Sequence, residues 1–265
     1  GIPHWLRCFD WLVGWAHGWA DPSIFPRNVY CHPNAVRGLL QFLEANYTQG
    51  SQNAFLVVGG EDTLLSQQDP NIIKCLKKFF SAIYYEAYDV EHADVEVMPI
   101  GLTEFYLRGV EDDVRRAMAV SGEKENLVLS AFGQFWPQLN EMIEDRKAAI
   151  DFSNRSAFVR CGPFERSEYF AQLALHKFMI CPLGNGVQAP KILECFLTRC
   201  IPIMTDSPAA HRLVVKGAPI LIVDSWDKVS VDHLEEVYPE FEKMVNNFFG
   251  IASSLDGYWR FSFQG

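Results

Sequence analysis

Several absences narrow the field. No run of 18 or more apolar residues occurs in the 265-residue chain, so no segment reads as a membrane span. The seven cysteines include no Cys-x-x-Cys pair, which argues against a zinc ribbon. Gly59-Gly60 and Gly184-x-Gly186 both miss the Gly-x-Gly-x-x-Gly spacing that a nicotinamide-binding turn needs. Lys plus Arg number 23 against 33 Asp plus Glu, a net charge of −10, so nothing suggests a nucleic-acid surface. There is no internal repeat and no low-complexity tract. Residues 1–20 are rich in Trp but broken by Arg7, Asp10 and His17, and they lack the basic start and continuous apolar core of a signal peptide. Gly1 in place of Met reads as a processed or trimmed start, which leaves an upstream anchor open.

What is present is ordinary for a globular chain: 49% hydrophobic and 21% charged residues. The length suits two domains of about 120 residues each. The cysteines stand at scattered positions, several in apolar runs such as Phe178-Met179-Ile180-Cys181. They read as buried thiols in a reducing compartment, so a cytoplasmic location is expected, or a Golgi lumen if an anchor was removed. The sequons at Asn46 and Asn154 matter only in a secreted protein.

Short apolar runs alternate with longer helical stretches. Strands are expected at Asn53–Val58, Phe80–Tyr84 and Val95–Gly101, with a helix over Asp69–Phe80. A charged helix over Val110–Ser121 leads to Gly122-Glu123-Lys124-Glu125, read as a polar linker. A second series follows: strands at Asn126–Ala131, Ala157–Cys161, Phe178–Cys181, Ile201–Met204 and Pro219–Val223, with helices at Asn140–Asp151, Glu165–Leu175 and Ala189–Thr198. The tail from His233 is helical. This rhythm predicts an α/β fold of two Rossmann-like domains, 1–122 and 123–245, facing across a cleft. Residues 246–265 are expected as a C-terminal helix and tail packing back on the first domain. Trp11, Trp15 and Trp19, spaced four apart around His17, read as a helix face packed in a core, with a sugar-stacking platform as the alternative.

The segment richest in chemistry runs from Phe178 through Pro182-Leu183-Gly184-Asn185-Gly186 to Ala189-Pro190-Lys191-Ile192-Leu193-Glu194. A buried strand enters a glycine loop, where the backbone can approach a ligand closely. A helix then begins with Pro190 near its first turn. Its N-terminus and Lys191 suit a diphosphate, and Glu194, one turn on, suits a ribose diol. Spacing alone equally allows a plain turn and a surface Lys–Glu pair.

That stretch resembles exostosin-type glycosyltransferases. They share a strand, a Pro-x-Gly loop, a basic-x-x-Glu helix and a Gly-Cys-Ile-Pro-Val-type strand, here Arg199-Cys200-Ile201-Pro202-Ile203. Val128–Asp151, with Gly133 and Arg146, resembles the family's first donor-domain strand and helix. Met98-Pro99-Ile100-Gly101-Leu102 resembles its inter-domain segment, and Gly257-Tyr258-Trp259 its aromatic end. The compact length is similar to the exostosin-like, xylosyltransferase-type enzymes of large algal viruses, which would place the protein in a host cytoplasm. The resemblance implies a GT-B fold and transfer of a sugar, best guessed as xylose, from a UDP-sugar to a glycan hydroxyl with inversion. Lys191 stands where the family more often has Arg. The resemblance further implies that no metal is essential, since helix dipoles and basic residues meet the diphosphate in such folds. The nearest Asp-x-Asp-like element, Asp94-Val95-Glu96, falls in an expected strand.

The donor-binding residues expected on these grounds are Gly133, Phe164, Pro182, Leu183, Gly184, Asn185, Gly186, Lys191 and Glu194. Phe164, after Gly162-Pro163, is placed near the nucleobase. Thr205-Asp206-Ser207 is a further candidate for the donor sugar, and His211 is expected on a surface helix. An inverting transfer needs a base, and Asp62, then Glu61, follow a buried strand at the ligand-binding edge. Asp10, His17 and His32 compete for that role. The rival functions are a non-catalytic sugar-binding or scaffold protein and, less favoured, a nicotinamide-dependent oxidoreductase.

Overall fold

A computed structural model describes residues 4–16, 18–101, 109–120, 124–133 and 140–263. His17 therefore lies outside the described residues, as do Leu102 and Gly122-Glu123. The chain divides into two compact units, Gly1–Pro99 and Ile100–Gly265. Each has its own parallel five-stranded sheet.

In the first unit the strands are β1 (Trp11–Val13), β2 (Asn28–Cys31), β3 (Ser51–Val58), β4 (Phe80–Tyr85) and β5 (Glu96–Val97), lying side by side in chain order. Leu56, Val57 and Val58 are fully buried, as expected of parallel strands covered on both faces. Between β2 and β3 runs α1 (Val36–Asn46), which buries Val36, Leu39, Leu40 and Leu43 at i, i+3, i+4 and i+7. Ahead of β4, α2 (Pro70–Leu76) starts on Asp69, whose carboxylate accepts the Asn71 N–H at 2.9 Å.

The Trp stripe is not a helix. Trp11 is buried in β1, and Trp19 pairs its backbone with Leu12 in an antiparallel bridge. Gly14, with φ +86°, turns the chain between them. The four-residue spacing arises from a strand folding back on its own end.

The second unit opens with Ile100, whose N–H donates to Gln188 Oε1 (3.1 Å) and whose carbonyl accepts from Tyr258 Oη (2.7 Å). α3 (Glu111–Ala119) packs on α5 (Arg166–Leu175), and Arg199 donates to the carbonyls of Met118 and Val120 at its end. The division thus falls ahead of α3, whereas the sequence boundary at 122/123 follows it. Arg199 sits at φ +55°, a left-handed conformation that favours glycine, with its guanidinium 3.6 Å over the Phe249 ring. Lys124 is no solvated linker residue. Its ammonium donates to the carbonyls of Ala174 and Thr198 at the ends of two helices, and burial lowers its pKa.

The sheet contains β6 (Asn126–Ser130), β7 (Val159–Cys161), β8 (His176–Ile180), β9 (Ile201–Thr205) and β10 (Leu221–Val223), in the order β10-β9-β8-β6-β7. The order reverses between β6 and β8, where open α/β sheets place ligands. Its remaining helices are α4 (Asn140–Arg155), α6 (Lys191–Leu197), α7 (Pro208–Val215), α8 (Val231–Ala252) and α9 (Leu255–Phe263). Residue 246, the expected start of the tail, falls inside α8, which starts on a Ser230 cap. In α9, Phe261 packs on Phe248, and the Ser262 carbonyl accepts from Lys216 Nζ. Cys31, Cys181, Cys195 and Cys200 are buried free thiols, but Cys8 and Cys161 are exposed. Among the described residues no helix is long and apolar enough to cross a membrane.

Candidate functional site

A cavity of about 630 Å³ opens in the second unit at the carboxyl ends of β6 and β7. Ser130 and Cys161, neighbours in the ladder, form its floor. Gly133 and Phe164 line it from the loops after those strands, and α5 and α6 add Arg166, Tyr169 and Lys191. Among the described residues no carboxylate lines it. The Lys191 ammonium sits 4.3 Å over the Tyr169 ring, and the Arg160 guanidinium lies 5.6 Å from the Phe164 centroid. Ser153 on α4 fixes this floor, since its hydroxyl donates to the Ala149 carbonyl at 2.7 Å and is hydrogen-bonded to Ser130 Oγ at 2.9 Å.

Glu194 does not line the cavity. It is 5% exposed, and its Oε2 accepts the Tyr169 hydroxyl at 2.6 Å, so it stands one layer behind the tyrosine wall. Burial, together with the adjacent Glu194, holds the Tyr169 hydroxyl well above its usual pKa. The glycine loop also lies off the cavity. Gly184 and Val187 exchange backbone hydrogen bonds, and the Gln188 N–H donates to the Gly186 carbonyl. The left-handed residue here is Val187, at φ 71°, a costly conformation for a β-branched side chain. Asn185 Oδ1 is buried with no partner among the described residues.

Two neighbouring side chains of α4 hold these loops. Arg146 donates to the carbonyls of Gly133 and Leu183, joining the loops after β6 and β8 across the point where strand order reverses. Asp145 accepts from the Leu183 N–H (2.9 Å), Thr205 Oγ1 (2.9 Å) and Trp226 Nε1 (2.8 Å). The ends of β8 and β9 and the turn after β10 thus converge on one carboxylate. Sequence reasoning missed Asp145, because Glu144-Asp145-Arg146-Lys147 reads as a solvated helix face. Thr205, Asp206 and Ser207 are engaged locally: Asp206 contacts the exposed His211 at 2.6 Å, and Ser207 caps α7.

In the first unit the last ladder row runs Val13, Cys31, Val58, Tyr85, Val97. One residue further, Gly14, His32, Gly59 and Glu86 form the carboxyl rim of the sheet. Glu61 accepts from Asn34 Nδ2 (2.9 Å) and lies 3.4 Å from His32 Nε2. Asp62 is exposed. Glu86 is half-buried, and its Oε2 accepts the Gly60 N–H at 2.8 Å and it is hydrogen-bonded to Tyr30. Burial raises its pKa to about 7, and Asp62 adds to the rise against the lowering effect of the Gly60 and Tyr30 hydrogen bonds. A Cβ on Gly59 would lie 2.3 Å from Glu86 Oε2, and one on Gly60 (φ +91°) 2.6 Å from the Trp15 ring. The glycine pair seats both side chains. Asp10, the remaining competitor, accepts the Arg27 N–H at 2.7 Å.

No protein-family model matches the chain, and no curated protein matches it by sequence. Three similar solved structures are each 11% identical to it. Anabaena Alr3699/HepE in complex with UDP and glucose matches over 90% of this chain and 76% of that one, with a TM-score of 0.45. Arabidopsis thaliana UGT89C1 complexed with quercetin matches over 88% and 68%, at 0.41. The pneumococcal O-GlcNAc transferase GtfA in complex with UDP and GlcNAc matches over 89% and 52%, at 0.30. Scores at this level leave the chemistry to be read from the residues themselves.

Proposed function

We propose that the chain is a glycosyltransferase of GT-B type, taking a UDP-linked sugar into the cavity of its second unit and passing the sugar to a glycan hydroxyl with inversion. Xylose is the first donor to test. The observation that carries this reading is the cavity's charge. In a chain of net charge −10, it brings the Lys191 ammonium and Arg166 to the carboxyl ends of a parallel sheet, and among the described residues no carboxylate lines it. Phe164 offers a face to a nucleobase. Lys191 offers the cation a diphosphate needs, so the proposal calls on no essential metal. Glu194 contributes by holding Tyr169 rather than by direct contact.

Cys161, exposed in the cavity floor, provides the test. N-ethylmaleimide labelling at mildly alkaline pH, read by mass spectrometry, is expected to slow several-fold at Cys161 with UDP while Cys8 labels unchanged. Lys191→Met should weaken that protection about tenfold, the loss of one charge-assisted contact. Protection by NAD and not by UDP would sink the proposal. Protection by UDP without sugar release from any of UDP-xylose, UDP-glucose and UDP-galactose would leave a non-catalytic binder.

A further inference from the structure

The floor of the second-unit cavity is a chain of small hydroxyl and thiol groups whose protons can be assigned one by one. Ser130 ends β6, Cys161 ends β7, and Ser153 reaches both from α4. The single hydroxyl proton of Ser153 goes to the Ala149 carbonyl at 2.7 Å, because a carbonyl only accepts. The 2.9 Å contact between Ser153 Oγ and Ser130 Oγ must then carry the proton of Ser130. The Cys161 thiol turns the same way and donates to the Ser153 carbonyl at 3.5 Å. All three protons are thus directed into α4. What Ser130 offers the cavity is oxygen lone pairs, an acceptor without a donor. An aromatic wall stands beside that acceptor. The Gly162 N–H donates to the Ser130 carbonyl at 2.8 Å, and a Cβ on Gly162 would lie 3.2 Å from the Phe164 ring. A flat heterocycle stacked on Phe164 has an edge towards Ser130, and the edge that fits carries an N–H.

We propose that Ser130 reads the base of the bound nucleotide by accepting a ring N–H, and that Ser153, by taking the Ser130 proton, restricts the site to bases that donate there. The proposal rests on the nucleotide-sugar reading of the cavity and adds to it a reason for uracil rather than cytosine. Uracil carries an N–H at ring position 3. Cytosine has a bare nitrogen at the same place, an acceptor that would face the lone pairs of Ser130. To meet it, Ser130 would have to turn its proton into the cavity and give up its bond to Ser153. Both serines are buried, Ser130 being 8% exposed and Ser153 4%, so water does not make good a bond that is lost. A site built in this way rejects the wrong base because a buried polar group is left unpaired. Ser130 is the specificity-determining contact, and Ser153 is a positioning residue that acts through it.

The test uses the whole chain and measures the nucleotide concentration that halves N-ethylmaleimide labelling of Cys161, each variant being referred to its own nucleotide-free rate. In the wild type, UDP is expected to protect at an about tenfold lower concentration than either CDP or N3-methyluridine diphosphate. Ser153→Ala frees the Ser130 hydroxyl to turn, so the difference between UDP and CDP should close to about threefold or less. Ser130→Gly removes the acceptor and makes room for a methyl group. UDP should then bind several-fold more weakly, and its advantage over the N-methylated analogue should also shrink to about threefold or less. A purely structural role for either serine would shift all three nucleotides together and leave the preferences as they were. Wild-type protection by the three nucleotides at similar concentrations overturns the proposal and leaves the nucleotide-sugar reading standing. So does a full wild-type preference that survives in either variant. If UDP does not protect the wild type, the nucleotide-sugar reading fails and this proposal with it.

Discussion

The two sheets have the same number of strands and the same parallel sense, yet they build their edges differently. In the second unit strand order reverses between β6 and β8, and the diverging loops need an outside tie, which α4 supplies through Asp145 and Arg146. In the first unit the strands follow chain order and the rim forms directly from successive strand ends. There the scarce quantity is room, so glycine does the work. Gly59 and Gly60 let a carboxylate and an indole ring close onto the backbone. Side-chain hydrogen bonds organise one edge, and absent side chains organise the other.

That contrast breaks most visibly at Asp145. Asp145→Ala strands the Leu183 N–H, the Thr205 hydroxyl and the Trp226 N–H, and should cost about 3 kcal/mol or more in denaturant unfolding. Asp145→Asn, which keeps an acceptor for two of these donors, should lose less. Next comes alanine at the glycines of the two edges. Gly60→Ala meets both a positive φ and the Trp15 ring, and should cost about 2–3 kcal/mol. Gly184→Ala meets only the Gln188 carbonyl, at 3.2 Å, and should stay within about 1 kcal/mol. Equal losses at the two positions would erase the distinction.

A separate effect is one of pH. In the folded chain the Glu86 carboxyl ionises at about 7, against 4.5 for an ordinary glutamate. Between those values the folded chain holds a proton that the unfolded chain has released. Stability therefore falls as pH rises through that window and levels off above it. Glu86→Gln should flatten this part of the curve, as followed by urea midpoints.

The sequence disclosed the second unit more fully than the first. All five of its strands were legible because apolar runs such as Phe178–Ile180 are buried on both faces and leave no polar alternation to confuse them. In the first unit β1 and β2 were overlooked. Three residues at Trp11–Val13 are too few to show a period, and the tryptophan spacing imitates a helix. The cavity was half legible. Gly133, Phe164 and Lys191 line it, but Pro182-Leu183-Gly184-Asn185-Gly186 and Glu194 do not. Glycines announce a turn without saying which way it faces, and a helical carboxylate gives no sign of being hidden behind a tyrosine. Glu86 is not among the sequence candidates, although it follows β4 just as Glu61 and Asp62 come after β3.

The Asp145–Arg146 doublet also limits how this chain can be re-engineered. Because one carboxylate and one guanidinium are shared among three strand ends and the turn after β10, the loop after β8 is not an independent module. A graft that replaces residues 181–190 alone leaves both charges on α4 with mismatched backbone partners, whereas a graft that carries α4 along transplants the latch with the loop. Chimaeras with other doubly wound proteins should therefore be cut outside residues 140–155, and recombination libraries that split this helix from that loop should yield few folded members.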